Sequence, residues 1–127
     1  MRLLLLTALG GGLGATLRHL VNAAGLRFLG PSFPWWTLAI NVSGSLLMGA
    51  LAALLMARPA SSDGLRAFLA TGILGGYTTF SAFSLDFASL VERRSIGSAM
   101  LYVGGSVGLS LAAVFLGLWL GRQWTAA

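Results

Sequence analysis

Residues 72–87 read GILGGYTTFSAFSLDF and lie inside an otherwise continuous hydrophobic segment. Gly72, Gly75 and Gly76 each cost about 1 kcal/mol relative to alanine in a helix interior, and the β-branched pair Thr78 and Thr79 follows directly. The stretch therefore predicts a broken helix. In hydrocarbon such a break survives only where it is buried in protein or lines a polar cavity, because lipid offers no partner to freed N–H and C=O groups. Freed carbonyls are also cation ligands, and broken helices mark the transport path in many transporters. Beyond the break, Phe80 and Phe83 fall three apart on one helical face, interleaved with the hydroxyls of Ser81 and Ser84. Glycine, hydroxyl and aromatic residues in that order read as an ion site rather than as packing.

The remainder of the chain sets this stretch in a membrane. Of 127 residues, 57% are hydrophobic and 9% charged, against about 25% charged in soluble domains, and the mean hydropathy is +0.86. These values exclude a soluble globular domain. The net charge is +5, carried by arginine alone. No basic cluster exceeds Arg93-Arg94, so lipid head groups rather than nucleic acid are the expected partners. Cysteine is absent, which excludes disulfides and thiolate metal sites. His19 has no Ser, Cys or acid beside it in the chain, and three acids are too few for an acid-built metal centre. The expectation is a membrane protein that is not an enzyme.

Four spans are expected, at about 3–25, 35–57, 67–91 and 96–120, forming one all-α membrane domain over residues 1–127. The opening MRLLLLTALG has the look of a signal peptide, but its apolar run continues too far. Gly10, Gly11, Gly12 and Gly14 leave a side-chain-free face, and Gly10 and Gly14 form a GxxxG pair suited to close helix contact. Arg18 comes near the end of the first span, where a long Arg snorkels or pairs within the bundle. Gly30, Pro31 and Pro34 end one helix and begin the next, with Trp35 and Trp36 placed for an interface. Residues 58–66, with Pro59, Ser61 and Ser62, read as a polar turn.

Polar residues recur at helical spacing. Thr37, Asn41 and Ser45 make a stripe along the second span. A lone Ser or Thr usually bonds its own helix, but the Asn41 amide needs partners in lipid. On spacing alone, pore lining and bonding between helices remain equally open for Asn41. Ser98, Tyr102, Ser106 and Ser110 form a hydroxyl track on the fourth span, where Gly104/Gly108 and Gly117/Gly121 also signal close packing. Asp86 is the only acid within a span and reads as an interfacial carboxylate near water or an Arg.

Loop charges bear on orientation, which follows the excess of Lys and Arg on the cytoplasmic side. Arg2, Arg58, Arg66 and Arg122 fall on one side, and Arg27, Arg93 and Arg94 on the other, joined by Arg18 if it snorkels that way. Four against three or four is almost no excess. The chain is therefore expected to insert both ways and to act as an antiparallel homodimer, and four short helices need a second copy to enclose a pathway.

GGLGATLRH at 11–19, FPWWTLAINVSGSLLMG at 33–49 and above all GGYTTFSAF at 75–83 resemble the signatures of the Fluc (CrcB) fluoride channel family. The resemblance runs over all four spans. It implies a dual-topology homodimer of four-helix subunits in a bacterial inner membrane, with two antiparallel pores that pass fluoride out of the cytoplasm. It implies a structural sodium ion, Na+, at the dimer centre, held by backbone carbonyls at positions matching Gly75 and Thr78. It assigns Phe80, Phe83 and Asn41 to the pore lining, with Tyr102, Ser106 and Ser110 as a polar track and Thr37, Thr79 and Ser81 beside them. Arg18 matches an arginine that attracts anions at a vestibule. Ala82 departs from a family threonine, Asp86 from a glutamate, Trp36 from a glycine and His19 from a tyrosine. Those departures bear on conduction rate, not on the class.

Two other classes remain as alternatives. A small dual-topology multidrug transporter has this architecture but needs a carboxylate in the first helix, and residues 1–62 hold no acid. A non-conducting assembly protein explains the GxxxG pairs but not three polar stripes and a break.

Overall fold

The structure, a computed structural model, describes residues 1–57 and 63–126, so Arg58 and the expected turn at Pro59, Ser61 and Ser62 lie outside the described residues. Every element among the described residues is helical. Helix α1 spans Arg2–Leu29 and α2 spans Trp35–Met56. The third span, Asp63–Glu92, is divided into α3 at 63–77 and α4 at Phe80–Glu92, and α5 spans Ile96–Ala126. Four spans are long and apolar enough to cross a membrane, and the protein is a multi-pass membrane protein.

The helices pair as α1 with α3 and α2 with α5. Small residues make both seams. A methyl group placed on Gly10 would strike the Phe68 carbonyl, and one on Gly14 the Ile73 carbonyl, so backbone lies directly against backbone. Gly49 and Gly117 serve α2 and α5 in the same way, meeting the Val114 and Leu46 carbonyls. Gly104 and Gly108 make no such seam, because nothing among the described residues lies within 4 Å of a methyl placed on either. Only the lower pair on that helix, Gly117 and Gly121, is used against α2.

Helix α1 runs past the expected end of its span and stops at Gly30, whose φ of 72° lies in the left-handed region that glycine tolerates. Arg18 lies eleven positions before Leu29, roughly 16 Å along the helix. At the same edge, Arg93 Nη1 donates to the Pro31 carbonyl at 3.1 Å and ties the two loops on that side together.

Between Arg66 and Leu74 helix α3 is widened to π geometry, with the Gly75 N–H reaching the Ala70 carbonyl five residues back. Such turns are rare and concentrate at functional sites. Helical geometry then continues through Gly75 and ends at Thr78 (φ −75°, ψ 156°) and Thr79 (φ −152°, ψ 122°), two extended residues in succession. The break expected in this stretch is present, but it falls on the threonines. Gly72 and Gly76 stay helical and spend their small size on contact with Gly10 and Gly11 of α1.

Candidate functional site

Two extended residues inside a membrane span free backbone groups that must find partners. Asn41 of α2 supplies two. Its Nδ2 donates to the Thr79 carbonyl at 3.0 Å, and its Oδ1 accepts the Thr79 N–H at 2.9 Å. Only this amide orientation satisfies both groups, and it leaves one Nδ2 proton uncommitted. Arg18 of α1 supplies a third, its Nε donating to the Gly76 carbonyl at 3.1 Å. The Thr79 hydroxyl caps α4 by accepting the Ala82 N–H at 3.1 Å and also meets Ser81 Oγ at 3.2 Å. The Thr78 N–H and hydroxyl both return to the Leu74 carbonyl. None of these bonds uses the carbonyl of Gly75 or Thr78.

The break forms the floor of an open groove of about 560 Å³. Gly75, Thr78 and Thr79 line it together with Asn41 of α2, Phe80 and Phe83 of α4, and Ser106 and Ser110 of α5. The two phenyl rings stand 5.4 Å apart between centroids at 44°. Phe80 is 78% exposed in the single subunit. The Ser106 and Ser110 hydroxyl oxygens are buried with no hydrogen-bond partner among the described residues.

Other expected residues lie elsewhere. Tyr102 is fully buried beyond one end of the groove, with its ring 5.3 Å from Phe83 and its hydroxyl donating to Asp86 Oδ2 at 3.1 Å. The side-chain partner of Asp86 among the described residues is therefore a tyrosine. Thr37 is 2% exposed and outside the lining, and Ser81 reaches the site only through Thr79. Arg18 approaches the break from α1, which contributes no lining residue. Steps of four residues explain part of this spread. Each advances about 40° around a helix of 3.6 residues per turn, so a track from Ser98 to Ser110 winds rather than keeping one face.

The sequence reading missed Gly44 and Met48 as lining residues. A methyl on Gly44 would strike Thr78 Cγ2, so Gly44 lets α2 reach the break. A glycine three residues after a polar helix position is a faint signal for that. Tyr77, whose hydroxyl meets Ser43 Oγ at 3.1 Å, was likewise passed over.

A family model described as CrcB-like protein, Camphor Resistance (CrcB), matches residues 5–118. The chain belongs to the CrcB family. Among its CrcB relatives, a protein of Rhodopseudomonas palustris (strain BisB5) named Fluoride-specific ion channel FluC is 57% identical over 121 residues, covering 95% of this chain and 98% of the relative. Proteins of the same name from Mesorhizobium japonicum and Agrobacterium fabrum are 55% and 50% identical, covering 94% and 93% of this chain and 96% and 94% of theirs. The matched CrcB region contains all the lining residues of the groove and both bonds to Thr79.

Proposed function

We propose that the chain is a subunit of a fluoride-selective channel in a bacterial inner membrane, releasing fluoride from the cytoplasm down its electrochemical gradient. The observation that carries this reading is the groove, in which Asn41, Phe80, Phe83, Ser106 and Ser110 converge from three helices on a break in a fourth segment. Near-full-length relatives named as fluoride-specific channels support it. A phenyl edge carries positive potential and solvates a small anion without holding it as an Arg would, and conduction needs that weakness. The free Nδ2 proton of Asn41 and the two unpartnered serine hydroxyls supply donors that replace part of the hydration shell.

The functional unit in this reading is an antiparallel dual-topology homodimer with two such pores. A large exposed phenylalanine beside a groove open on one side is the form an incomplete pathway takes. Tyr102, Thr37 and Ser81 act in it by holding the lining residues, and Asp86 orients Tyr102. The Gly75 and Thr78 carbonyls fit a structural sodium ion, because they are hard oxygen ligands of two residues that line the groove, and they take none of the hydrogen bonds that satisfy the break. A sodium ion there neutralises backbone charge that lipid cannot.

Purified protein in liposomes loaded with fluoride or chloride tests the reading directly. Fast fluoride efflux without chloride efflux is expected, read with ion-selective electrodes. Absence of both would return the chain to the non-conducting class.

A further inference from the structure

An arginine within a membrane-spanning helix needs a partner, and here that partner is main chain. Arg18 lies one helical turn after Gly14 and so on the same face. Gly14 packs directly on Ile73 and Tyr77 of α3. That seat carries Arg18 to the end of α3, where its Nε donates to the Gly76 carbonyl. A cation belongs at a helix C-terminus, whose last carbonyls carry partial negative charge, and a charged donor makes a bond roughly twice as strong as a neutral one. Gly76 follows Gly75 directly, so the bond fixes the chain between the carbonyls of Gly75 and Thr78. No residue of α1 lines the groove.

We propose that Arg18 is a positioning residue that caps α3 at the break and so sets the Gly75 and Thr78 carbonyls, instead of attracting anions as a free charge in a vestibule. The inference rests on the channel reading only for its flux readout. The bonding atom makes it testable. Arg Nε and Gln Nε2 stand the same number of bonds from Cα, whereas the Lys ammonium lies one atom further out. Arg18→Gln thus keeps a donor at the bonding position without the charge, Arg18→Lys keeps the charge without that donor, and Arg18→Met keeps neither.

Fluoride efflux and hydrogen–deuterium exchange of peptides covering residues 72–84 are measured on all four proteins in sodium-containing buffer. Exchange is expected to accelerate about tenfold in Arg18→Met, the loss of one buried bond, and Arg18→Gln to stay within about threefold of the unsubstituted protein, with Arg18→Lys falling nearer Met. Efflux follows the same order. If Lys preserves both readouts and Gln behaves like Met, charge rather than capping is the function and the proposal fails. Should Arg18→Met not fold, the order of Gln and Lys still decides. If the unsubstituted protein passes no fluoride, the channel reading falls, while the exchange order alone upholds or overturns the cap.

Discussion

Asn41 shows how one side chain meets two demands that looked exclusive in the sequence. Its spacing left pore lining and helix bonding open; the structure shows the bonding, and Asn41 also lines the groove, where an amide that clamps Thr79 with one oxygen and one proton still has a proton uncommitted. Replacing it with alanine leaves the Thr79 N–H and C=O unpaired, at about 1–3 kcal/mol for each buried group. Asn41→Ala is therefore expected to lower the thermal unfolding midpoint in detergent as well as efflux. Asn41→Asp should fare no better, because its second oxygen would face the Thr79 carbonyl. A midpoint unchanged in both variants would remove the clamp from the argument. The phenylalanines separate stability from conduction. Phe80→Ile and Phe83→Ile keep apolar volume but lose the ring edge, so efflux should be abolished while the protein still elutes as the same species in size-exclusion chromatography. Normal efflux from both would exclude a ring-edge pathway.

At the scale of elements, the break was legible in residues 72–87 but its position within them was not. Glycine permits a break without requiring one, and helix propensity does not report that Gly72 and Gly76 are needed for contact with α1. The two threonines decide the matter because their extended backbone is stabilised by a local cap, the Thr79 hydroxyl on the Ala82 N–H, and from outside by Asn41, and the second of these is too distant in the chain to be read from the stretch itself. The four spans were legible for the opposite reason, since length and hydropathy are summed over twenty residues and tolerate local ambiguity. Tyr102 illustrates the remaining gap. Its register set it on a hydroxyl track with Ser106 and Ser110, but in the subunit it is buried against Phe33 and Phe83 and bonded to Asp86, and it does not line the groove. The approach of α2 to the break gives an element-scale prediction. Gly44→Ala forces a methyl against Thr78 Cγ2 and is expected to destabilise the fold by about 1–3 kcal/mol. Thr78→Ser removes that methyl while keeping the hydroxyl, so adding it should recover much of the loss, with a coupling of about 0.5–3 kcal/mol in a double-mutant cycle. Additive effects would mean that Gly44 acts elsewhere.

For the whole molecule, the bond that Arg18 makes to Gly76 bears on the charge count that governs insertion. An arginine committed to main chain inside the span is not available to snorkel to a loop, which leaves four arginines against three, with Arg58 counted from sequence alone. An imbalance of one residue is too small to impose a single orientation, and a groove open on one side with an exposed Phe80 suits a subunit completed by an inverted copy. Orientation and conduction are then linked. Substituting arginines at Ser95 and Gly97, on the side of Arg93, and removing Arg122 from the other should bias one variant, and the reciprocal changes its opposite. Each biased variant expressed alone is expected to lose fluoride efflux from cells, whereas co-expression of the two should restore it, because only together do they supply antiparallel pairs. Full efflux from either variant alone would mean that parallel copies or single subunits conduct, and the near-balance of loop charge would then carry no functional consequence.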